Sequence, residues 1–339
     1  MSSGPAMAGA RDGILSAIGQ TPLIRLHRLC AGADFEVYAK LEFLNPGGSI
    51  KDRSALRIVE QAIASGRIRP GKWVIESSSG NMAIGLAQVC RYHGVPFCCV
   101  VDPKTTAMNV KLLKCYGAEV ELVTEPDPVT GEYLPMRLRR VRELLEEHEG
   151  SFWPNQYANA DNAQSQQRTV EEICCQLGRE PAWLFCALST CGTLRGCADW
   201  LRSRNSPCRI IGVDAVGSAI SSNTRANRLI PGHGSAIKPD LFTVGLADRL
   251  VCISDLHCVC GCRLLLDREA ILAGGSSGAQ VAALFAVRPL IARGSQVVLI
   301  FSDRGERYLD TVFCDDWVER HFGTTEWTAI RNEMISASS

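Results

Sequence analysis

The sequence predicts an α/β protein built from two doubly wound parallel-sheet lobes with a ligand site between them. Short apolar runs rich in Val, Ile and Cys end in Gly or Ser clusters, and helical patterns follow them. Three such runs, KWVIE, PFCCVV and AEVELV, are spaced closely enough to indicate parallel crossover units. A second series, AWLFCAL, RIIGVDA and QVVLIFSD, predicts the strands of the other lobe.

The order of these runs also predicts the domain boundaries. We expect a small mobile lobe over residues 45–149 and a large lobe that combines residues 13–44 with 150–323. Residues 1–12 and 324–339 are expected to be loosely held tails. The Pro- and Gly-rich segment EPDPVTGEYLP predicts a loop. The charged helix that follows it has the sequence MRLRRVRELLEEHEG.

Composition excludes several classes of protein. Lys and Arg together number 36 and so do Asp and Glu, so the basic excess typical of nucleic-acid and membrane-surface proteins is missing. The sequence contains no apolar run of the length that spans a bilayer. The first residues, MSSGPAMAGARDG, do not resemble a signal peptide. We therefore expect a cytoplasmic protein that binds neither nucleic acid nor membrane.

The sixteen cysteines are expected to be free thiols. Most lie in apolar runs such as PFCCVVD, where a thiol behaves as a small buried hydrophobe. The tightest cluster is Cys258, Cys260 and Cys262, with Cys252 nearby. Its spacing is not that of a structural zinc site, so we do not expect a metal there. The sequence by itself leaves a metal or redox role of these thiols open.

The first candidate site motif is NPGGSIKDRSA, residues 45–55. Gly47 and Gly48 indicate a tight turn, and Ser49 can cap the helix that follows. Lys51 then lies in the first turn, where the macrodipole disfavours an ammonium and favours a nucleophilic amine. An exposed lysine at a helix start is the alternative. The apolar face of this helix is predicted to comprise Ile50, Ile58, Val59, Ala62 and Ile63.

The second motif is ESSSGNMAIGLA, at the end of a predicted strand. Ser77, Ser78 and Ser79 offer hydroxyls and amides, and Gly80 allows a sharp turn into a helix. Such a helix N-terminus favours a carboxylate. Asn81 could donate a hydrogen bond to a ring oxygen, or it could simply cap the helix.

The third motif is ALSTCGTLRG, again between a strand and a helix. Ser189, Thr190, Cys191, Gly192 and Thr193 offer successive amides and hydroxyls that suit a phosphate dianion. A thiol at a helix N-terminus is expected to have a lowered pKa. Two interpretations of Cys191 therefore remain, a redox sensor or a small residue tolerated in place of glycine.

The fourth motif, AGGSSGAQVAAL, opens an apolar helix and by itself is also compatible with tight helix packing. The order of the four motifs, with the phrases IGQTPLIRL and DRGERYL, resembles the tryptophan-synthase-β (type II) family of pyridoxal-phosphate enzymes. The most similar branch is that of cysteine synthase and cystathionine β-synthase. The resemblance covers nearly the whole chain and implies the type II pyridoxal-phosphate fold, with the cofactor between the lobes.

The resemblance also implies roles for the cofactor-binding residues. Lys51 would form the Schiff base with pyridoxal 5′-phosphate and remove the substrate α-proton. Asn81 would contact the cofactor 3′-oxygen, residues 189–193 would hold its phosphate, and Ser276 would face the pyridine nitrogen. A hydroxyl at that nitrogen favours loss of a β-leaving group, which gives an aminoacrylate that awaits a nucleophile. Residues 77–80, with Gln156, would hold the substrate carboxylate. The resemblance further implies a homodimer and small amino-acid substrates.

Departures from ordinary cysteine synthases narrow the expected reaction. Ser189 and Cys191 replace two glycines of the phosphate loop, and Ala160 replaces a common proline. Together with the inserted loop EPDPVTGEYL, these features resemble enzymes that join O-phospho-L-serine to L-glutamate. Their product, N-(2-amino-2-carboxyethyl)-L-glutamate, supplies 2,3-diaminopropionate for siderophores of the staphyloferrin B type. A phosphate leaving group needs a cation, and we predict that Arg137 supplies it, with Tyr157 and Ser189 as hydrogen-bond partners.

Other interpretations remain open from the sequence. Arg137, like Arg139, Arg140 and Arg142, could lie on the solvated face of a helix. The reaction could instead be that of a cysteine synthase, a cystathionine β-synthase or a deaminating lyase. A non-catalytic partner or sensor protein is the alternative from another class, but the presence of Lys51 argues against it.

Overall fold

The computed structural model describes residues 10–129, 131–222, 226 and 228–338. The strands of this part of the chain are β1 Leu23–Arg25, β2 Glu36–Leu41, β3 Val74–Ser77, β4 Phe97–Val101, β5 Glu119–Leu122, β6 Trp183–Ala187, β7 Arg209–Ala215, β8 Arg249–Ile253 and β9 Gln296–Phe301. Its α-helices are α1 Lys51–Ala64, α2 Asn81–His93, α3 Ala107–Cys115, α4 Tyr133–Glu147, α5 Ala160–Leu177, α6 Gly192–Arg202, α7 Asp255–Glu269, α8 Gly275–Val287, α9 Asp315–Phe322 and α10 Thr324–Ser338.

The strands form two sheets, as the sequence predicts. The smaller sheet has the order β3-β4-β5 and is parallel throughout. The larger sheet has the order β1-β2-β9-β6-β7-β8, and its pairs are parallel except for the edge pair β1 and β2, which is antiparallel. The apolar runs of the sequence coincide with β3 to β7 and β9. The α/β class with two parallel-sheet lobes is therefore confirmed.

Both faces of β4, β6 and β9 are buried, which explains why the sequences of these strands are continuously apolar. Along β6, Phe185 packs into the core that contains α7 and α8, whereas Leu184 packs into the core that contains α5 and α6. Along β4, Cys99 and Cys98 likewise point into two different cores. No described helix combines the length and the apolar character needed to cross a membrane.

The structure corrects the predicted start of the charged helix. Helix α4 begins at Tyr133, so the last residues of the segment predicted as a loop are already helical. Pro135 lies in the first turn of this helix, where a missing N–H removes no intrahelical hydrogen bond. The bounds of the loop were wrong for this reason.

The prediction of a loose C-terminal tail is wrong for residues 324–338. These residues form α10, and its side chains Trp327 and Met334 are buried in the core that also contains α7. The spacing of Trp327, Ile330 and Met334 is that of an apolar helix face, a signal that was missed. Of the predicted N-terminal tail, residues 1–9 lie outside the described residues. The lobe boundaries stay a prediction.

Candidate active site

One cavity brings all the predicted site residues together. It has a volume of about 180 Å³ and is lined from the carboxyl ends of strands in both sheets, where parallel sheets usually bind ligands. The predicted residues that line it are Lys51, Ser77, Ser78, Ser79, Gly80, Asn81, Arg137, Gln156, Tyr157, Ser189, Thr190, Cys191, Gly192, Thr193 and Ser276. The individual roles assigned to them stay predictions.

Lys51 is the first residue of α1, as the sequence predicts, but the cap differs from the prediction. The residue before α1 is Ile50, and Ser49 accepts a hydrogen bond from the Lys51 amide at 3.2 Å. The preceding loop is fixed to the chain after β9, because the Ile50 amide donates to Ser302 O at 2.8 Å. The apolar face of α1 is buried except for Ile63, which is 37% exposed.

Burial lowers the pKa of the Lys51 ammonium, while the Asp303 carboxylate acts in the opposite direction. Lys51 forms no ion pair with any described residue. Its position in the first turn of α1 adds to the effect of burial, since the helix macrodipole disfavours a cation there. The amine is therefore poised for nucleophilic chemistry at the cavity wall.

Asn81 is held by a carboxylate that the sequence analysis missed. Its side-chain amide donates to Asp303 Oδ2 at 2.7 Å, and the Tyr308 hydroxyl donates to the same oxygen. Asp303 is only 3% exposed, and its Oδ1 has no hydrogen-bond partner among the described residues. Asn81 does not cap α2, whose preceding residue is Gly80. A polar residue just after β9 was the signal that could have identified Asp303.

The turn between β3 and α2 presents its polar groups to the cavity. Ser78 Oγ accepts a hydrogen bond from the Ala83 amide at 3.2 Å, so it satisfies one free amide of the helix N-terminus. The Ser77 hydroxyl is buried without a partner among the described residues. Gln156 lies beside this turn and donates from Nε2 to Ser77 O at 3.3 Å. These groups can bind a carboxylate.

The loop between β6 and α6 has the geometry of an anion site. Cys191 has a φ of 63°, in the left-handed region, which turns successive amides towards one side and forms a nest for an anion. Glycine adopts this conformation most easily, which accounts for the glycine expected at this position in cysteine synthases and means that Cys191 carries some backbone strain. The Thr190 hydroxyl is fixed by Asn162 Nδ2 at 3.1 Å. The loop therefore fits a phosphate group.

The predicted lowering of the Cys191 thiol pKa is wrong. Burial, with a smaller contribution from the nearby Asp214 carboxylate, raises this pKa to about 12. The effect of burial exceeds that of the helix N-terminus. The thiol is therefore neutral at ordinary pH, which favours the small-residue interpretation over a reactive sensor.

Ser276 lies in the first turn of α8, where it is 6% exposed and lines the cavity. The glycines around it also serve close packing. A Cβ on Gly274 would lie 2.1 Å from Asp303 Oδ1, and one on Gly278 would lie 2.1 Å from Cys258 O. The fourth motif therefore combines a site residue with tight helix packing.

Cys258, Cys260 and Cys262 are buried on α7. They pack in the core of the larger sheet, and burial raises the pKa of each thiol. Cys252 is exposed. The three buried thiols therefore behave as small apolar side chains.

Arg137 lies inside the cavity, whereas the neighbouring arginines do not line it. Its side chain is 10% exposed, and Nε lies 3.1 Å from Asp102 Oδ2 without hydrogen-bond geometry. Nη1 is buried and has no hydrogen-bond partner among the described residues. Arg140 instead pairs with surface glutamates such as Glu147. A buried guanidinium with free donors can bind an anion bidentately.

Tyr157 and Glu76 lie near Arg137. Burial raises the pKa of the Tyr157 hydroxyl and raises that of Glu76 to about 7, while the Arg137 charge lowers both. Glu76 accepts hydrogen bonds from Trp153 Nε1 at 3.1 Å and from the Gln156 amide at 3.2 Å. The phenol therefore remains a hydrogen-bond donor at neutral pH.

Sequence comparison identifies the chain as similar to two named bacterial enzymes. It is 46% identical to the N-(2-amino-2-carboxyethyl)-L-glutamate synthase of Cupriavidus metallidurans over 313 residues, which cover 91% of this chain and 92% of that one. It is also 46% identical over 308 residues to the protein of the same name from Ralstonia nicotianae, with 91% of each chain covered.

Structure comparison gives similar folds among related enzymes. A cysteine synthase from Entamoeba histolytica has a TM-score of 0.85 and 28% identity, with 98% of each chain covered. An O-ureido-L-serine synthase has a TM-score of 0.83 and 30% identity, with coverage of 91% of this chain and 98% of that one. Residues 14–303 match the family described as "Pyridoxal-phosphate dependent enzyme". Because this match covers most of its length, the chain belongs to the family of pyridoxal-phosphate dependent enzymes.

Proposed function

We propose that the protein joins O-phospho-L-serine to L-glutamate and releases phosphate, with N-(2-amino-2-carboxyethyl)-L-glutamate as product. The observation that carries this proposal is the buried guanidinium of Arg137, whose Nη1 has no partner among the described residues. A dianionic leaving group supplies the acceptors that such a fork of donors requires. The names of the two bacterial relatives support the same product.

Different residues of the cavity have different roles in this reaction. When bound, pyridoxal 5′-phosphate stabilises negative charge at the substrate α-carbon. Lys51 holds the cofactor and then moves the proton at that α-carbon. Residues 189–193 would hold the cofactor phosphate, Asn81 would donate a hydrogen bond to its ring oxygen, and Ser276 would face its ring nitrogen.

Other residues of the cavity, together with Ser189, hold the substrate. The turn of residues 77–80 and Gln156 bind its carboxylate. Arg137, Tyr157 and Ser189 bind its phosphate. The bond from the β-carbon to oxygen breaks as phosphate leaves, and the amine of L-glutamate then forms a bond to the same carbon and loses a proton.

The first experiment measures phosphate release from O-phospho-L-serine with and without L-glutamate, with mass detection of the product. Glutamate-dependent release and a new adduct support the proposal. Phosphate release at the same rate with and without L-glutamate would instead indicate a lyase. Turnover of O-acetylserine with sulfide and none of phosphoserine would indicate a cysteine synthase.

The matched variants are Arg137→Ala and Arg139→Ala, since the Arg139 side chain is 69% exposed. Arg137→Ala should lower phosphoserine turnover on the order of 100-fold, because a buried charge pair with the substrate is lost. Arg139→Ala should not change it. Both variants should keep the cofactor. Unchanged turnover in Arg137→Ala would contradict the assignment.

Oligomeric state and location complete the proposal. We infer a homodimer, a cytoplasmic location and a mobile small lobe from the resemblance to related enzymes. Light scattering of the purified protein tests the first inference, and scattering profiles with and without phosphoserine test lobe closure. A monomer, or identical profiles, would contradict them.

A further inference from the structure

A second cation, Lys104, lines the cavity that contains Arg137. It lies between β4 and α3, and it is exposed, whereas Arg137 is buried. The ammonium is 5.6 Å from the centre of the Tyr133 ring, on α4. No described residue forms an ion pair with it. A cation that lines a cavity without a counterion is available to an anionic ligand.

One buried carboxylate, that of Asp102, contacts the main chain of Lys104 and the side chain of Arg137. The Lys104 amide donates to Asp102 Oδ1 at 2.8 Å, and Asp102 Oδ2 lies 3.1 Å from Arg137 Nε. Tyr133 and Arg137 are four residues apart on α4 and therefore share a face of that helix. Lys104 and Arg137 thus lie on one wall of the cavity, Arg137 buried and Lys104 towards solvent.

The attack of L-glutamate, which is the second step of the reaction, indicates a ligand for Lys104. This argument rests on the proposed function. The attacking nitrogen of L-glutamate takes the place of the oxygen that leaves with phosphate, since both bond to the same β-carbon. The α-carboxylate, one carbon away from that nitrogen, then lies where the phosphate was, near Arg137. The side-chain carboxylate is two methylenes further from the reacting nitrogen, so it requires a cation other than Arg137, and Lys104 lines the same cavity.

We propose that Lys104 binds the side-chain carboxylate of L-glutamate and selects it over uncharged amines. Arg307, another cation that lines the cavity, is fixed to the loop before Lys51, because its Nη2 donates to Gly47 O at 2.6 Å, and its Nη1 is buried without a partner among the described residues. The Lys104 ammonium forms no hydrogen bond or ion pair with any described residue. The Tyr133 ring holds its ammonium and leaves its donors free.

The test compares Lys104→Met and Lys104→Arg with the control Lys111→Met. Lys111 is exposed on α3 and does not line the cavity. Two quantities are measured: kcat/KM for L-glutamate and for L-glutamine with saturating phosphoserine, and single-turnover phosphate release from phosphoserine alone with enzyme in excess. The first reports nucleophile selection and the second reports the leaving-group step.

Lys104→Met should lower kcat/KM for L-glutamate about tenfold or more, the equivalent of one charge-assisted hydrogen bond. L-glutamine use and single-turnover phosphate release should not change, and Lys104→Arg should retain most of the glutamate activity. An equal loss for both amino acids, unchanged glutamate kinetics or slower phosphate release would overturn the role of Lys104. If the wild-type enzyme releases no phosphate from phosphoserine, the proposed function fails as well.

Discussion

Arg53 is the residue whose substitution tests most directly how the helix of Lys51 is anchored. It lies on α1, it is 5% exposed, and its guanidinium contacts two glutamates. Nε and Nη2 donate to Glu42 at 2.7 and 2.9 Å, and Nη1 and Nη2 donate to Glu172 at 2.7 Å each. Arg53→Met removes both pairs and retains much of the side-chain volume.

The expected loss follows from the two carboxylates that remain. Glu42 is fully buried and keeps the Thr21 hydroxyl at 2.7 Å and the Asn45 amide at 2.9 Å, but no cation. Glu172 keeps Lys40 at 2.8 Å. Removing one partner of a buried pair costs about 3–5 kcal/mol. Because hydrogen bonds to Glu42 remain, we expect the free energy of unfolding to fall by about 3 kcal/mol.

Urea unfolding at neutral pH measures this loss. The control is Arg57→Met, which removes a pair with Asp161 whose arginine is 37% exposed, and it should cost less than about 1 kcal/mol. The double variant Glu42→Gln with Arg53→Met should be more stable than Arg53→Met alone, because no buried charge remains without a partner. A loss below about 1 kcal/mol for Arg53→Met, or a double variant that is less stable still, would refute the reasoning.

The ion pair between Arg53 and Glu172 also predicts how the free energy of unfolding depends on pH in acid. Burial raises the pKa of Glu172, but Arg53 and Lys40 lower it more strongly, so it lies at about 2 against an ordinary value of 4.5. A lowered pKa contributes stability that is present above pH 4.5 and is lost as the pH falls towards 2. In Arg53→Met this part of the acid dependence should shrink. An unchanged profile over that interval would contradict the pairing.

Three further predictions concern the site and its support. Lys51→Ala should abolish the yellow colour of the purified protein, whereas Lys111→Met should keep it; a visible spectrum decides, and a coloured Lys51→Ala protein would contradict the Schiff-base role. An alkylating reagent at neutral pH should modify the exposed Cys115 and Cys252 in preference to Cys191, whose pKa of about 12 leaves almost no thiolate; peptide mass spectrometry checks this, and rapid labelling of Cys191 would refute it. Gly196→Ala should lower the free energy of unfolding by about 1–3 kcal/mol, since its Cβ would lie 2.0 Å from Ala163 O between α6 and α5; urea unfolding measures it, and full stability would show that the helices can separate freely.

The sequence predicts the elements that depend on local pattern. Continuous apolar runs identified β4, β6 and β9, because both faces of these strands are buried. The small-residue turns after such strands identified the cavity, since the carboxyl ends of parallel strands meet at one edge. The position of Lys51 in the first turn of a helix left an exposed surface lysine as an alternative, and only the resemblance to the family implied its role.

Partners that are distant in sequence could not be predicted in the same way. Asn81 and Asp303 are 222 residues apart, and Arg53 and Glu172 are 119 apart. No local period connects such pairs, and their contact exists only once both sheets have formed. The predicted direction of the Cys191 pKa shift was wrong for a related reason. A helix N-terminus can be identified in a sequence, whereas the burial of the thiol depends on the whole fold.

The cavity separates the common chemistry of the family from the choice of substrates. Lys51, Asn81 and residues 189–193 lie on turns fixed by backbone contacts and by Asp303. The two cations that we assign to the substrates depend instead on α4 and Asp102, because Arg137 belongs to that helix and Tyr133 supports Lys104. If the proposed roles hold, changes in α4 alter the choice of leaving group and nucleophile and leave the residues assigned to the cofactor in place. Substrate specificity would then depend on α4 and on the inserted loop before it, whereas Lys51 would supply the chemistry that the family shares.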